Sequence, residues 1–152
     1  MPAGSFGEMT EDGLAAVSTD ELFADKKVVL FAVPGAFTPT CSAQHVPGFL
    51  RNVDKFAEKG VDTIACMSVN DVHVMDAWGR DLGVGNTIRM LADGNGDYAT
   101  ALGLDIDSSA FNMGKRSRRF AIIVDDGVAA YVAVDEPGQF SVSSAESILE
   151  QL

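Results

Sequence analysis

The run VVLFAV at 28–33, closed by Pro34-Gly35, constrains this chain more than any other segment. It is apolar at every position and rich in valine, so as a strand it has no solvent face and needs cover on both sides. Two more runs read as strands, DTIACMSVN at 62–70 and IRMLAD at 88–93, and the helical pattern VHVMDAWGRDLG lies between them. A helix also fits from about Thr38, and a small one near DYATALG. RRFAIIVDDG and VAAYVAV then form a hairpin about Asp125-Asp126-Gly127, and SSAESILEQL reads as a capped amphipathic helix. Alternating elements followed by a hairpin and a closing helix predict an α/β fold, a central mixed β-sheet flanked by helices on both faces.

At 152 residues the chain fits a single domain over 1–152, large enough to bury a core without disulfides or metal. Acidic residues outnumber basic ones by 22 to 11, and the net charge of −11 disfavours nucleic acid and anionic membrane as partners. The exception is KRSRR at 115–119, which carries four of the eleven cations and reads either as a solvated loop or as a positive field for a small anion or a thiolate. The N-terminus has neither a cationic start nor an apolar core segment, and no run reaches membrane-spanning length, so a cytoplasmic location is expected. Two cysteines in a chain this long do not make a disulfide scaffold, and a reducing compartment keeps both as thiols.

One of them, Cys41, sits in VPGAFTPTCSAQHVPGF among turn formers, hydroxyls and an imidazole. With Thr38 as N-cap, Pro39 takes the first helical position, where its missing N–H does no harm, and Thr40 and Cys41 follow. Cys41 then occupies the place of the carboxylate in a capping box, where free amides and the helix dipole stabilise a thiolate. The Thr40 and Cys41 amides lack intrahelical acceptors and are free to bind an oxygen of whatever the sulfur attacks. His45 lies at i+4 on the same face and is able to polarise the thiol. A Cys-x-x-x-His pair with one further Cys and one further His makes a metal site improbable. Pro47 is expected to kink the helix, which is then held by packing of Phe49, Leu50, Val53 and Phe56.

PGAFTPTC, with Pro34-x-x-x-Thr38-x-x-Cys41, resembles the active-site signature of peroxiredoxins. SVNDVHVMDAWGR, LADGNGDYATALGL, RSRRFAIIVDDG and FSVSSAESILEQL extend the likeness to the type II, peroxiredoxin V-like branch, in order, over nearly the whole chain after about residue 12. The resemblance implies a thioredoxin-like fold and a thiol peroxidase without redox cofactor. Cys41 matches the peroxidatic cysteine that becomes a sulfenic acid, Thr38 the hydroxyl that bonds thiolate and peroxide, Pro34 the shield of the sulfur, and Arg119 the guanidinium facing the thiolate. His45 matches too, in a supporting role or as simple packing, while Arg116 and Arg118 are expected to be solvated.

Cys66 matches the resolving position of the plant-type members, and its apolar strand context fits an inert buried thiol equally well. A Cys41–Cys66 disulfide would need local unfolding to bring the two together. The other cycle has glutathione with glutaredoxin, or thioredoxin, attack the sulfenic acid directly. The resemblance also implies a non-covalent homodimer; Phe37 and Trp78 read as apolar surface for it or, more commonly for such residues, as core, and Phe111 as a wall of the peroxide pocket. Two other classes fit the residues less well: a Cys41–His45 hydrolase, for which no nucleophile-elbow context exists, and a non-enzymatic thioredoxin-like signalling module, against which the joint presence of Pro34, Thr38, Cys41 and Arg119 argues.

Overall fold

The computed structural model describes residues 1–152. The chain runs β1 (Ser5–Thr10), β2 (Gly13–Ser18), α1 (Thr19–Phe23), β3 (Lys27–Ala32), a wide turn (Cys41–His45), α2 (Val46–Arg51), α3 (Val53–Glu58) and β4 (Thr63–Ser68). It continues through α4 (Val72–Leu82), β5 (Arg89–Ala92), α5 (Asp97–Ala101), β6 (Asp105–Asp107), β7 (Lys115–Ser117), β8 (Phe120–Asp125), β9 (Val128–Val134) and α6 (Ala145–Leu149).

Seven strands form one sheet in the order β2-β1-β5-β4-β3-β8-β9. β3, β4 and β5 are parallel at its centre, and antiparallel strands flank them on both sides. The period-2 rule is visible along β3: Val28, Leu30 and Ala32 enter one apolar cluster, Val29 and Phe31 the other. The first face is covered by α1 and α5 through Leu22, Phe23, Tyr98 and Ala99, the second by α2, α3, α4 and α6 through Phe49, Phe56, Trp78 and Ile148. This is the α/β, thioredoxin-like arrangement with a mixed sheet between helical layers. Phe31 stacks on Phe49 at 4.1 Å, and truncating a ring so enclosed costs about 3–5 kcal/mol.

The β8–β9 turn places Asp126 at φ 46° and Gly127 at φ 78°, the two positive values that a two-residue primed hairpin turn requires. The N-terminal β1–β2 hairpin was not expected from the pattern: its strands mix Gly, Ser, Glu and Met, and β1 touches β5 through a single ladder pair, Gly7↔Ala92. The small β6–β7 sheet was also unforeseen, and it corrects the solvated-loop reading of KRSRR, since Lys115–Ser117 pairs with Asp105–Asp107. Arg116 donates to the carbonyls of Met113 (2.9 Å) and Val69 (3.1 Å), and Arg118 to that of Asp135 (3.2 Å), so neither is merely solvated.

Candidate active site

The loop after β3 is pinned to the end of β4. Val33 donates to the Met67 carbonyl, and the Ala36 amide donates to Asn70 Oδ1 (3.0 Å), which is itself held by Ser68 Oγ (2.6 Å). A Cβ at Gly35 would stand 3.1 Å from Thr38 Cγ2 and 3.3 Å from Met113 Cε, so a side chain here would have to push both neighbours back by a few tenths of an ångström. Phe37 is held at φ 62°, a left-handed backbone that costs a bulky residue about 1–3 kcal/mol and persists only where the surroundings impose it.

The helix begins as expected at Pro39, with Ser42 donating to the Thr38 carbonyl. Neither the Thr40 nor the Cys41 amide is engaged by a backbone carbonyl. The Thr38 hydroxyl does not cap an amide. Its Oγ1 lies 2.8 Å from Cys41 Sγ and 2.7 Å from the Gly35 carbonyl, so its single hydrogen serves one or the other. The irregularity expected at Pro47 appears one turn earlier. Residue 47 has no N–H for the Ala43 carbonyl, and the backbone widens so that Val46 donates to Cys41, five residues back, before α2 resumes with Pro47 in its first turn. Phe49 and Phe56 are buried, and Leu50 and Val53 pack against them.

Cys41 is fully buried. Arg119, just ahead of β8, brings Nη2 to 3.3 Å from its sulfur and Nη1 to 2.9 Å from His45 Nδ1. His45 makes no hydrogen bond to the sulfur. Its Nε2 lies 3.0 Å from the Ser143 carbonyl, its ring sits among Phe31, Phe49 and Phe140, and burial, with the Arg119 charge next, lowers its pKa from 6.5 to about 3. A neutral imidazole committed at both nitrogens is not a base for Cys41, which removes the hydrolase reading. Asp135 accepts hydrogen bonds from the amides of Ser141, Val142 and Ser143 and from both serine hydroxyls; burial alone would raise its pKa, and these donors hold it below the usual carboxylate value.

A cleft of ≈ 390 Å³ opens beside this group, bordered by Pro34, Thr38, Thr40, Arg119, Phe111 and Met113 among others. Sequence reasoning missed Ser143, Asp135 and Phe140; nothing in their local pattern distinguishes them from ordinary loop residues. Of the two residues read as surface or core, Trp78 is core, fully buried and donating to Ser42 Oγ (2.9 Å), whereas Phe37 is exposed at 52%, as is Phe111 at 77%. Cys66 is fully buried on β4, paired with Phe31 on one side and Met90 on the other. Burial first, then the charge of Cys41, push its thiol pKa well up, with Arg119 opposing.

Residues 1–149 match the redoxin family. The chain is 49% identical over 153 residues to Peroxiredoxin-2C of Oryza sativa subsp. japonica, covering 100% of this chain and 94% of that protein. It is 46% identical over 150 residues to the longer chloroplastic Peroxiredoxin-2E of Arabidopsis thaliana, 97% of this chain and 64% of that one. Among solved structures it is similar to reduced Prx3 of Vibrio vulnificus in complex with H2O2, with a TM-score of 0.95 and 48% identity over 99% of this chain and 94% of that one.

Proposed function

The chain belongs to the redoxin family, among the type II peroxiredoxins, and is a thiol-dependent peroxidase; on that premise we propose that it reduces hydrogen peroxide and alkyl hydroperoxides through a sulfenic acid at Cys41. The observation that carries this reading is the buried sulfur held between the Thr38 hydroxyl at 2.8 Å and the Arg119 guanidinium at 3.3 Å. The Cys41 thiolate attacks one peroxide oxygen, an S–O bond forms and the O–O bond breaks. Sulfur is oxidised by two electrons, the peroxide is reduced, and the departing oxygen takes a proton to leave as water or alcohol. Arg119 and the free Thr40 and Cys41 amides supply donors where charge develops on that oxygen, and Thr38 swings its hydrogen between Gly35 and the sulfur as the thiol is lost and restored. Pro34 shields the sulfur at the cleft margin.

An apolar wall of Ile106, Phe111, Met113 and Pro137 supports a substrate with an alkyl group as well as hydrogen peroxide. H2O2 is the ligand of the Vibrio vulnificus relative. The enclosure of Cys66 in the middle of the sheet favours a one-cysteine cycle. An external thiol, glutathione with glutaredoxin or thioredoxin, attacks the sulfenic sulfur, water leaves, and a second thiol reduces the mixed disulfide to regenerate Cys41. The exposed rings of Phe37 and Phe111 support a non-covalent homodimer.

Rapid mixing of the reduced protein with one equivalent of peroxide, followed by the fluorescence of the single tryptophan and by intact mass, tests the reading. The expected product is Cys41 alone oxidised, with Cys66 free. Loss of both thiols with a fall of two mass units would replace the one-cysteine cycle by a Cys41–Cys66 disulfide, and a Cys41 no faster than a free thiol would overturn the assignment of the site.

A further inference from the structure

Resting on the peroxidase reading of Cys41, we propose that Arg116 is a positioning residue for substrate choice: it holds two walls of the cleft at a fixed spacing, and so decides how well a bulky hydroperoxide fits over the sulfur. Pro34 and Thr38 border the cleft on one side, and Ile106, Phe111 and Met113 on another.

The second wall is thinly attached. Residues 105–117 form a two-stranded sheet of three pairs that does not join the seven-stranded one. The amides of Ser108, Ser109, Phe111, Asn112 and Met113 all find their acceptors inside the segment. At its base, Arg118 N donates to the Leu104 carbonyl at 2.8 Å and Ser117 Oγ to the Arg118 carbonyl, also at 2.8 Å. Past that base a single hydrogen bond leads from the segment to the rest of the protein, and Arg116 makes it: Nη1 donates to the Val69 carbonyl at 3.1 Å.

The same guanidinium reaches back into the segment. Its Nε donates to the Met113 carbonyl at 2.9 Å, and Met113 lies between Asn112 at φ 58° and Gly114 at φ 64°, the left-handed residues that turn the chain at the tip. With Nε and Nη1 both committed, one planar group keeps the tip and the Val69 carbonyl at a set separation. No carboxylate pairs with Arg116, so its charge is left to these two carbonyls.

The first wall is anchored at the same place. Asn70 Oδ1 accepts from Ala36 N at 3.0 Å and from Ser68 Oγ at 2.6 Å, which pins the loop after β3 to the end of β4. Both walls are thus referred to residues 68–70, one through Asn70 and the other through Arg116. Where they meet, the Met113 methyl faces Gly35, a glycine that offers it no side chain to interlock with. An alkyl hydroperoxide lays its hydrocarbon against Ile106, Phe111 and Met113 and loses that contact if the wall drifts. Hydrogen peroxide has no such group, so Arg116 acts on the choice between the two substrates.

The test is rapid mixing of the full-length reduced protein, giving second-order rate constants for oxidation of Cys41 by cumene hydroperoxide and by hydrogen peroxide in parallel. Arg116→Met keeps most of the unbranched stem and drops both donors. In it the ratio of the cumene hydroperoxide constant to the hydrogen peroxide constant is expected to fall about 10-fold below wild type, the scale on which a misfitted apolar group is discriminated. Arg116→Lys keeps the charge but offers one nitrogen for two carbonyls, and its ratio is expected to lie between the two. Loss of folded protein scales both constants together and leaves the ratio where it was. A ratio unchanged in Arg116→Met, or raised because hydrogen peroxide loses more, overturns the proposal. Arg116→Lys with the wild-type ratio does so too, and it decides the matter if Arg116→Met does not fold. A wild-type Cys41 no faster than a free thiol toward either peroxide would overturn the peroxidase reading for that substrate and this proposal with it, whereas a reactive wild type with an unmoved ratio overturns this proposal alone.

Discussion

Cys41 and Cys66 are both sealed from solvent and belong to one apolar cluster, yet their immediate shells have opposite character. Around Cys41 the chain gathers a hydroxyl, a guanidinium and an unengaged amide, each able to meet negative charge on sulfur or on an oxygen bonded to it. Around Cys66 it gathers Phe31 and Met90 across the ladder, and burial drives that thiol toward its neutral form. Burial is common to both thiols and therefore does not separate them. The difference lies in which donors the backbone delivers: a helix start and a strand opening converge on one sulfur, whereas a central strand encloses the other.

Removing either sulfur is the broadest way to break this comparison. Cys41→Ser is expected to abolish peroxide consumption, because serine at the same place is not a thiolate, while Cys66→Ala is expected to keep the initial rate of sulfenic acid formation. Equal losses in the two variants, measured by peroxide remaining against time, would erase the distinction. The next effect concerns the donors. Arg119→Ala is expected to slow the chemical step by about 10²–10³-fold, the cost of deleting one donor to a developing oxyanion. Arg119→Lys should recover only part of that loss, since an ammonium does not hold His45 and the sulfur at fixed angles. Rapid-mixing rates across a peroxide concentration series check both.

The asymmetry between the two thiols was largely legible in the sequence, because the features that create it are local. Thr38-Pro39-Thr40-Cys41 announces a helix start with an ionisable side chain in its first turn, and the apolar neighbours of Cys66 announce a buried strand. The central sheet was legible for the same reason, since β3, β4 and β5 are near-continuous apolar runs. What could not be read depends on contacts across long sequence separations. The path from Asp135 through Ser143 and His45 to Arg119 joins residues 74 and 98 positions apart. The β1–β2 hairpin escaped notice because its pairing rests on a weakly patterned edge rather than on an apolar strand. Pro47 announced a disturbance of the helix, but the carbonyl it leaves without a donor lies one turn upstream, and there the backbone widens.

His45 offers a way to sharpen the contrast through pH. Folded, the imidazole stays neutral down to about pH 3, because burial and the Arg119 charge oppose a proton there. Unfolded, it takes up a proton below about 6.5. Between those values the unfolded chain binds the additional proton, so stability is lost as pH falls, by up to about 1.4 kcal/mol per pH unit for this one group. Asp135 acts in the same direction on acidification, its carboxyl being held below the usual range by the loop amides and hydroxyls although burial opposes this. Urea denaturation across the acid range should therefore show a steep limb in wild type and a shallower one in His45→Gln. Identical limbs would mean that His45 does not reside in the fold as a neutral ring.

The smallest effect lies at Cys66, where activity and stability should part. Cys66→Ala removes one sulfur from a site between Phe31 and Met90 and is expected to cost about 1 kcal/mol, the ordinary size of a small core truncation. Cys66→Ser is nearly the same size but introduces a hydroxyl among apolar side chains, and the desolvation of that group brings the cost to about 1–3 kcal/mol. The order Ala above Ser in unfolding free energy, with both variants matching wild type in the rate of Cys41 oxidation, is what an inert packing thiol requires. If instead both variants were as stable as wild type but stalled after one turnover with glutathione and glutaredoxin supplied, Cys66 would be entering the cycle, and the strand that encloses it would have to open for that to occur.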